Sequence, residues 1–287
     1  MGTLSARAAL GAGFRLIARE PLAFAAWCGA YFLVGVVPQL VMLDALVPLM
    51  AAFMASGGDP NDAAFVAAEA RMARYSILSY LSSFVTITVI PGAVFRAILA
   101  PDERRFFYLR IGAQEGWLGL SVLAVFGLFL IGSLVLALPV ALVAAFAPPL
   151  APLATAGGMA ALIWGVLRVS FTPVMGFADH NFRVAESWQA SRPHMNRLLL
   201  VAAGLFVLVL GGYVLLVTAG SAVFALDPGA DAVAAAWKSN PAGVIESLGA
   251  GRIAGLLVVI TVFATWMHVM GAAAWASMYR DLKAPAA

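Results

Sequence analysis

The sequence predicts an all-α, polytopic integral membrane protein of about six transmembrane helices, with short helices lying in the membrane interface. Three observations carry this. First, hydrophobic residues make up 63% of the 287 and charged residues 11%, with a mean hydropathy of +0.97. A soluble domain is about half apolar and about a quarter charged, so this chain has too little polar surface to cover a water-soluble globule, and lipid is its natural solvent. Second, uncharged apolar runs cover roughly 22–43, 76–95, 117–147, 150–167, 198–226 and 253–279. Each reaches or nearly reaches the roughly 20 residues that a helix needs to cross the hydrocarbon core. Third, Leu, Val, Ala and Phe recur in these runs without period-2 alternation, which argues against a transmembrane barrel.

Taken in chain order, the first run follows Arg7, Arg15 and Arg19. It is longer than the apolar region of a secretory signal and lacks a small-residue cleavage site, so it is expected to remain as a span. Cys28 within it is the single cysteine. It allows no intramolecular disulfide and no cysteine metal cluster, and its expected role is that of a small buried apolar residue. The connection 44–75 carries the turn cluster SGGDPND at 56–62, after which AAFVAAEARMARY could extend the second span as helix. Pro91-Gly92 in the second span and Pro173 in the fourth are expected points of helix interruption. The third run exceeds spanning length, and Pro139 is expected to kink it or end its regular part. A Pro-rich turn, APPLAPLATAGG at 147–158, leads to the fourth run. That run is read as continuing past Arg168 to about Ala178, with the arginine near an interface or facing the protein interior. The last connection, 226–251, places the Ala-Ala-Trp at 235–237 on the outer leaflet.

Basic residues set the expected orientation. With six spans, thirteen of the 17 Lys and Arg fall on the side of the termini, and only Arg71, Arg74, Lys238 and Arg252 on the other. The positive-inside rule then puts both termini in the cytoplasm. The acids divide evenly, so the pI of 9.3 reflects membrane topology. No soluble domain with interleaved basic and aromatic residues points to nucleic acid.

Three approaches to odd-numbered spans share a weak pattern: FRLIAREPLAFAAW at 14–27, YLRIGAQEGWLGL at 108–120 and ESWQASRPHMNRLL at 186–199. Each has a small residue, two polar ones and then Pro or Gly. They read as short interfacial helices, each ended by its breaker so that the chain turns into the bilayer. In the first, Leu10, Phe14 and Ile17 form one stripe while Arg15 and Arg19 share another face. In the third, Phe182, Ala185 and Trp188 form an apolar stripe beside Arg183, Glu186 and Gln189. Trp188 suits an interface, and Arg183, Arg192 and Arg197 are expected near lipid phosphates. The second is poorly amphipathic. The pattern divides the single transmembrane domain, 1–287, into units of 1–100, 101–178 and 179–287. A threefold repeat is one reading; the other is that any polytopic protein shows basic, aromatic segments before its spans.

Chemistry-bearing motifs are few. His180 and His194 read as solvated boundary residues, whereas His268 lies within the sixth span, where an ionisable residue is a functional candidate by default and a bonded neutral histidine is the common alternative. No carboxylate lies deep in the expected spans. Ser191-Arg192-Pro193-His194 lacks the spacing and companion motifs of lipid phosphatases, and no nucleophile elbow, P-loop or His-Glu-x-x-His helix is present. No catalytic residue, cofactor site or metal site is expected. Gly251-Arg252-Ile253-Ala254-Gly255 is a single GxxxG that could mediate helix packing.

Residues 167–200, LRVSFTPVMGFADHNFRVAESWQASRPHMNRLLL, resemble a segment of bacterial proteins related to the membrane domain of glycerophosphoryl diester phosphodiesterases, with Ala185, Ser187, Trp188, Ser191 and Arg192 in similar places. That family's catalytic domain is a separate soluble barrel with no counterpart in these residues. The resemblance implies a membrane module without assigned activity and carries over no catalytic residue. The expectation is a non-enzymatic protein of the bacterial inner membrane, working through membrane lipids, including anionic ones, or a membrane-protein partner. The alternative is a small permease with a path between the repeats and His268 or the broken helices in it.

Overall fold

The computed structural model describes residues 4–225 and 243–283. It is 89% helix, with no strand among the described residues. Six stretches are long and apolar enough to cross a membrane: Pro21–Ala55, Ala63–Leu99, Arg105–Phe146, Pro148–Asp179, Val184–Ser221 and Gly251–Lys283. The segment at 235–237 and Lys238, assigned above to the outer side, lie outside the described residues.

In chain order the α-helices are α1 (Ala6–Leu10), α2 (Ala12–Arg19), α3 (Pro21–Tyr31), α4 (Val37–Ala55), α5 (Ala63–Leu99), α6 (Ala113–Phe146), α7 (Ala151–Arg168), α8 (Thr172–Asp179), α9 (Val184–Ser191), α10 (Met195–Ala225) and α11 (Gly243–Lys283). The 56–62 turn forms as expected. Gly57 and Gly58 take positive φ, and the Asp62 carboxylate accepts from the amides of Ala64 and Phe65 at 2.9 and 3.0 Å, starting α5. The extension of the second span is real, since α5 runs unbroken from Ala63.

The proline expectations divide. Pro91 lies inside α5 and Pro139 inside α6, and neither ends its helix. The interruption comes in the fourth span, between α7 and α8. Pro173 has no N–H to give the Val169 carbonyl, and Thr172 N–H reaches that carbonyl instead, at 3.0 Å. The fourth span therefore continues past Arg168, to Asp179, as two helices broken where Pro173 was expected to interrupt it.

The chain forms two compact units. One comprises Pro21–Ile87 and Val207–His268. Its local irregularity has a sequence cause. Pro38 cannot donate to the Val34 carbonyl four residues back. The backbone widens to a π-turn over Phe32–Val36, with Val37 N–H bonding to Phe32 O. The Ser82 hydroxyl of α5 donates to the freed Val34 carbonyl, and Gln39 and Ser79 bond each other at 2.7 and 3.0 Å. Cys28 is half-buried and hydrogen-bonded to Thr265, so its setting is partly polar and not the purely apolar one expected.

The other unit comprises the described parts of Met1–Glu20, Thr88–Phe206 and Val269–Ala287. All thirteen basic residues assigned by sequence to the terminal side belong to it. Close helix approach is enforced by small residues. A Cβ at Gly13 would lie 3.1 Å from Met270 Cα, and one at Gly176 would lie 3.3 Å from Trp117 O, so α2 meets α11 and α8 meets α6 nearly backbone to backbone.

The centre of this unit is Arg96, 1% exposed near the end of α5. Its guanidinium donates to Glu115 Oε1 at 2.5 Å, to Gln114 Oε1 at 2.9 Å and to the Tyr108 carbonyl, and it lies over the Phe177 ring. Glu115 is itself 5% exposed. The second approach segment is shaped by these bonds. No interfacial α-helix forms there. Phe106, Phe107 and Tyr108 take φ of 50°, 56° and 65°, a left-handed turn, and Ala113 to Gly116 open α6 without ending anything. Left-handed non-glycine residues cost about 1–3 kcal/mol each. Bonds to a charged group contribute about 1.5–3 kcal/mol each, so Arg96 offsets the turn it holds.

Arg96→Gln and Glu115→Gln should each lower unfolding free energy by about 3–5 kcal/mol, because each strands a buried partner. Thermal melts in detergent test this. The double variant should lose less than the two singles together, and additive losses would show that the pair is not coupled.

Candidate functional site

The site is built on the end of α7. At the break after Arg168 the last carbonyls lose their helical donors. The Arg168 carbonyl is taken instead by two hydroxyls of α9, Ser191 at 2.9 Å and Ser187 at 3.4 Å. Both serines are fully buried, so the face that α9 presents to the protein is seryl. The Phe182–Ala185–Trp188 stripe expected to define this helix lies outside, with Phe182, Ala185 and Trp188 exposed. The hydroxyls win because an orphaned carbonyl requires donors, which an apolar face lacks.

The Arg168 guanidinium lies against a pair of touching indoles. The guanidinium carbon stands 4.7 Å from the Trp188 ring centre and 5.4 Å from that of Trp164. The two rings meet edge to face at 5.3 Å. Arg168 is 6% exposed, and its Nε has no hydrogen-bond partner. Trp188 also closes one end of an apolar groove of about 260 Å³ between α6 and α7, with Gly132, Leu136, Leu162, Gly165 and Val169 among its walls.

The other sequence-chosen residues are dispersed. Arg183 is half-buried, with Nε 3.5 Å from Asp179 Oδ2. Asp179 also accepts from Tyr279 at 3.0 Å and Lys283 at 2.7 Å. Arg197 is exposed yet donates to the Leu4 carbonyl at 2.8 Å. Both therefore spend part of their bonding capacity on the protein. Arg192 is exposed. On α2 the buried face is Ala9, Ala12, Gly13 and Leu16, continuous with α1, which leaves Phe14 of the expected stripe outside at 48% exposure. Arg15 donates to Ala8 O and Arg19 to Ala97 O; with Arg280 they line a cleft of about 230 Å³ floored by Leu16 and Ile98. His268 is half-buried in the other unit, its ring 5.7 Å from that of Tyr31. No cluster of three metal-ligating side chains occurs among the described residues.

Sequence reading left Arg168 between two positions and did not join it to Trp188. A signal was present. Trp164 and Arg168 are four apart, as are Ser187 and Ser191, spacings that put each pair on one helix face. What it could not show is that the two faces meet. No protein-family model, no curated protein and no solved structure matches the chain.

The Ser187→Ala/Ser191→Ala double variant should cost about 1–3 kcal/mol, the price of leaving the Arg168 carbonyl bare. Either single should cost clearly less, since the remaining hydroxyl still serves it. Thermal melts in detergent decide this: a double variant as stable as wild type would mean that the joint does not hold α9. His268→Gln should lower the melting temperature modestly and leave bound lipid in place. Lipid loss at unchanged stability would instead make His268 a binding residue.

Proposed function

We propose that this is a non-enzymatic protein of the bacterial inner membrane, with both termini cytoplasmic, that acts through contact with an anionic lipid surface. One observation supports it above the rest. The segments of the basic unit outside or at the edge of its spans expose large apolar side chains beside arginines. Phe14 stands beside Arg15, Phe106 and Phe107 near Arg105, Phe182 beside Arg183, and Trp188 four residues before Arg192. Phe106 is 81% exposed and Ile111 86%. In water such residues expose area at about 25 cal/mol per Å². At a bilayer surface the rings enter the acyl boundary while the guanidiniums meet phosphates. The likeness of 167–200 to a membrane module without assigned chemistry agrees with this reading, as does the 13-to-4 division of basic residues.

Topology is tested with single cysteines in a Cys28→Ala background. Positions 60, 150 and 238 should react with an impermeant thiol reagent from outside intact cells; labelling only after lysis reverses the orientation. Lipid contact is tested with Arg7, Arg105 and Arg192, which are exposed. Basic residues at an anionic surface contribute about 1 kcal/mol each. The triple Arg→Gln variant should therefore lose up to roughly 3 kcal/mol of affinity for phosphatidylglycerol vesicles, with its melting temperature unchanged, and high salt should reproduce the loss in wild type. Equal, salt-independent binding by both would remove the surface role.

A further inference from the structure

We propose that the α6–α7 groove and Arg168 together form a binding site for one glycerophospholipid, with an acyl chain in the groove and the headgroup phosphate on the Arg168 guanidinium. This inference rests on the lipid-contact reading above but names a single built site, where that reading needs only a surface.

The first part of the site is its charge. Arg168 is buried, its Nε is unpartnered, and no ion pair joins it to a carboxylate among the described residues. A buried cation is ordinarily paired. The negative end of α7 and the faces of Trp164 and Trp188 offset part of its charge, but none of these accepts a hydrogen bond from the guanidinium. Arg96, the other deeply buried arginine of this unit, has a carboxylate at 2.5 Å. Arg168 is thus short of an anion in a way that Arg96 is not.

The second part is depth. Helix α7 has 18 residues, about 27 Å at 1.5 Å per residue, close to the roughly 30 Å of the hydrocarbon core. With α7 crossing the core from its first residue, its C-terminal residue reaches the level of the lipid phosphates. A guanidinium is suited to a phosphodiester, which accepts two parallel N–H bonds.

The third part is shape. The groove is lined by residues 125–136 of α6, by residues 161–166 of α7 and by Val169 and Trp188, and its walls are almost wholly apolar. Gly165 and Gly132 leave out the side chains that would fill it. A Cβ at Gly165 meets nothing within 4 Å, and one at Gly132 meets only Leu162 Cδ2 at 3.4 Å. Trp188, stacked on Arg168 and closing the groove, links the two halves: its ring borders both the charge and the chain.

The experiment is native mass spectrometry of the full chain titrated separately with phosphatidylglycerol, diacylglycerol and inorganic phosphate. Wild type should retain one phosphatidylglycerol, and neither diacylglycerol, which lacks the phosphate, nor inorganic phosphate, which lacks the tail. Gly165→Leu is the decisive variant, because it adds a side chain to the groove wall at a position where a Cβ meets nothing within 4 Å, and replaces a poor helix former by a good one. It should keep the wild-type melting temperature and lose the lipid at least roughly tenfold in affinity. Arg168→Gln should do the same, with Arg168→Lys partly restoring binding. The triple variant of Arg7, Arg105 and Arg192 should retain the single lipid. Retention by Gly165→Leu as in wild type would overturn the groove, and equal retention of diacylglycerol would overturn the role of Arg168. Loss of the lipid in the surface triple variant alone would overturn the site while leaving surface contact standing. Failure of wild type to bind phosphatidylglycerol in any form would remove both.

Discussion

The basic unit depends on the pairing of Arg96 with Glu115. Both are charged groups withdrawn from water, which makes each indispensable to the other: a lone buried ion costs far more than the pair. Their bond joins the end of α5 to the start of α6. The third donor bond of Arg96, to the Tyr108 carbonyl, draws the intervening chain back into a left-handed turn. The chain here is ordered by side-chain bonds, those of Arg96 foremost, and not by a turn-forming glycine. Glu20 plays a smaller related part, holding Arg104 of the same connection at 2.5 Å from the end of α2. Only one partner of that second pair is buried, since the Arg104 side chain is 68% exposed, so it contributes at the level of a surface ion pair.

A helix break creates the neighbouring joint. Pro173 deprives Val169 of a donor, the chain leaves helical geometry, and the Arg168 carbonyl is left for Ser187 and Ser191 to satisfy. The same residue that offers its carbonyl to α9 offers its guanidinium to Trp188. One arginine thus fixes the seating of α9 through its backbone and gives the groove a charged end through its side chain. The exposed aromatic side chains around this unit follow from the same economy. The short α2 and α9 use mainly small or hydroxyl-bearing residues, Gly13 and Ser187 among them, for contact with the protein, which leaves Phe14 and Trp188 for the surroundings.

Class and segmentation were legible in the sequence alone, because both follow from the solvent. A chain this apolar must satisfy its backbone within helices of spanning length, so six uncharged runs became six apolar helices. The thirteen basic residues that the six-run segmentation groups with the termini fall in one compact unit. Pro38 and Pro173 act through bonds they cannot make, and the effect of Pro173 was readable in kind. Pro91 and Pro139 show the limit of such reading, since both are absorbed inside helices that continue. Periodicity identified apolar stripes on α2 and α9, of which Phe14, Phe182 and Trp188 are exposed, but not the Gly, Ala and Ser faces by which the two helices pack on the protein. A stripe of Phe and Trp and a stripe of Gly, Ala and Ser can each pack, and the choice depends on the partner.

Tertiary structure decided the pairings. Arg96 and Glu115 are 19 residues apart, and Arg168 and Ser191 are 23 apart. No local rule of spacing reaches across such separations. Which arginine finds a carboxylate, which is left against indoles and which spends itself on a carbonyl, as Arg197 does on Leu4, is settled only when helix ends are brought together. Composition and charge fixed the solvent, the number of crossings and the distribution of basic residues. The fate of each charge was fixed by its neighbours in space, because the energy of a buried ion depends on what lies within a few ångströms of it and hardly at all on its place in the chain.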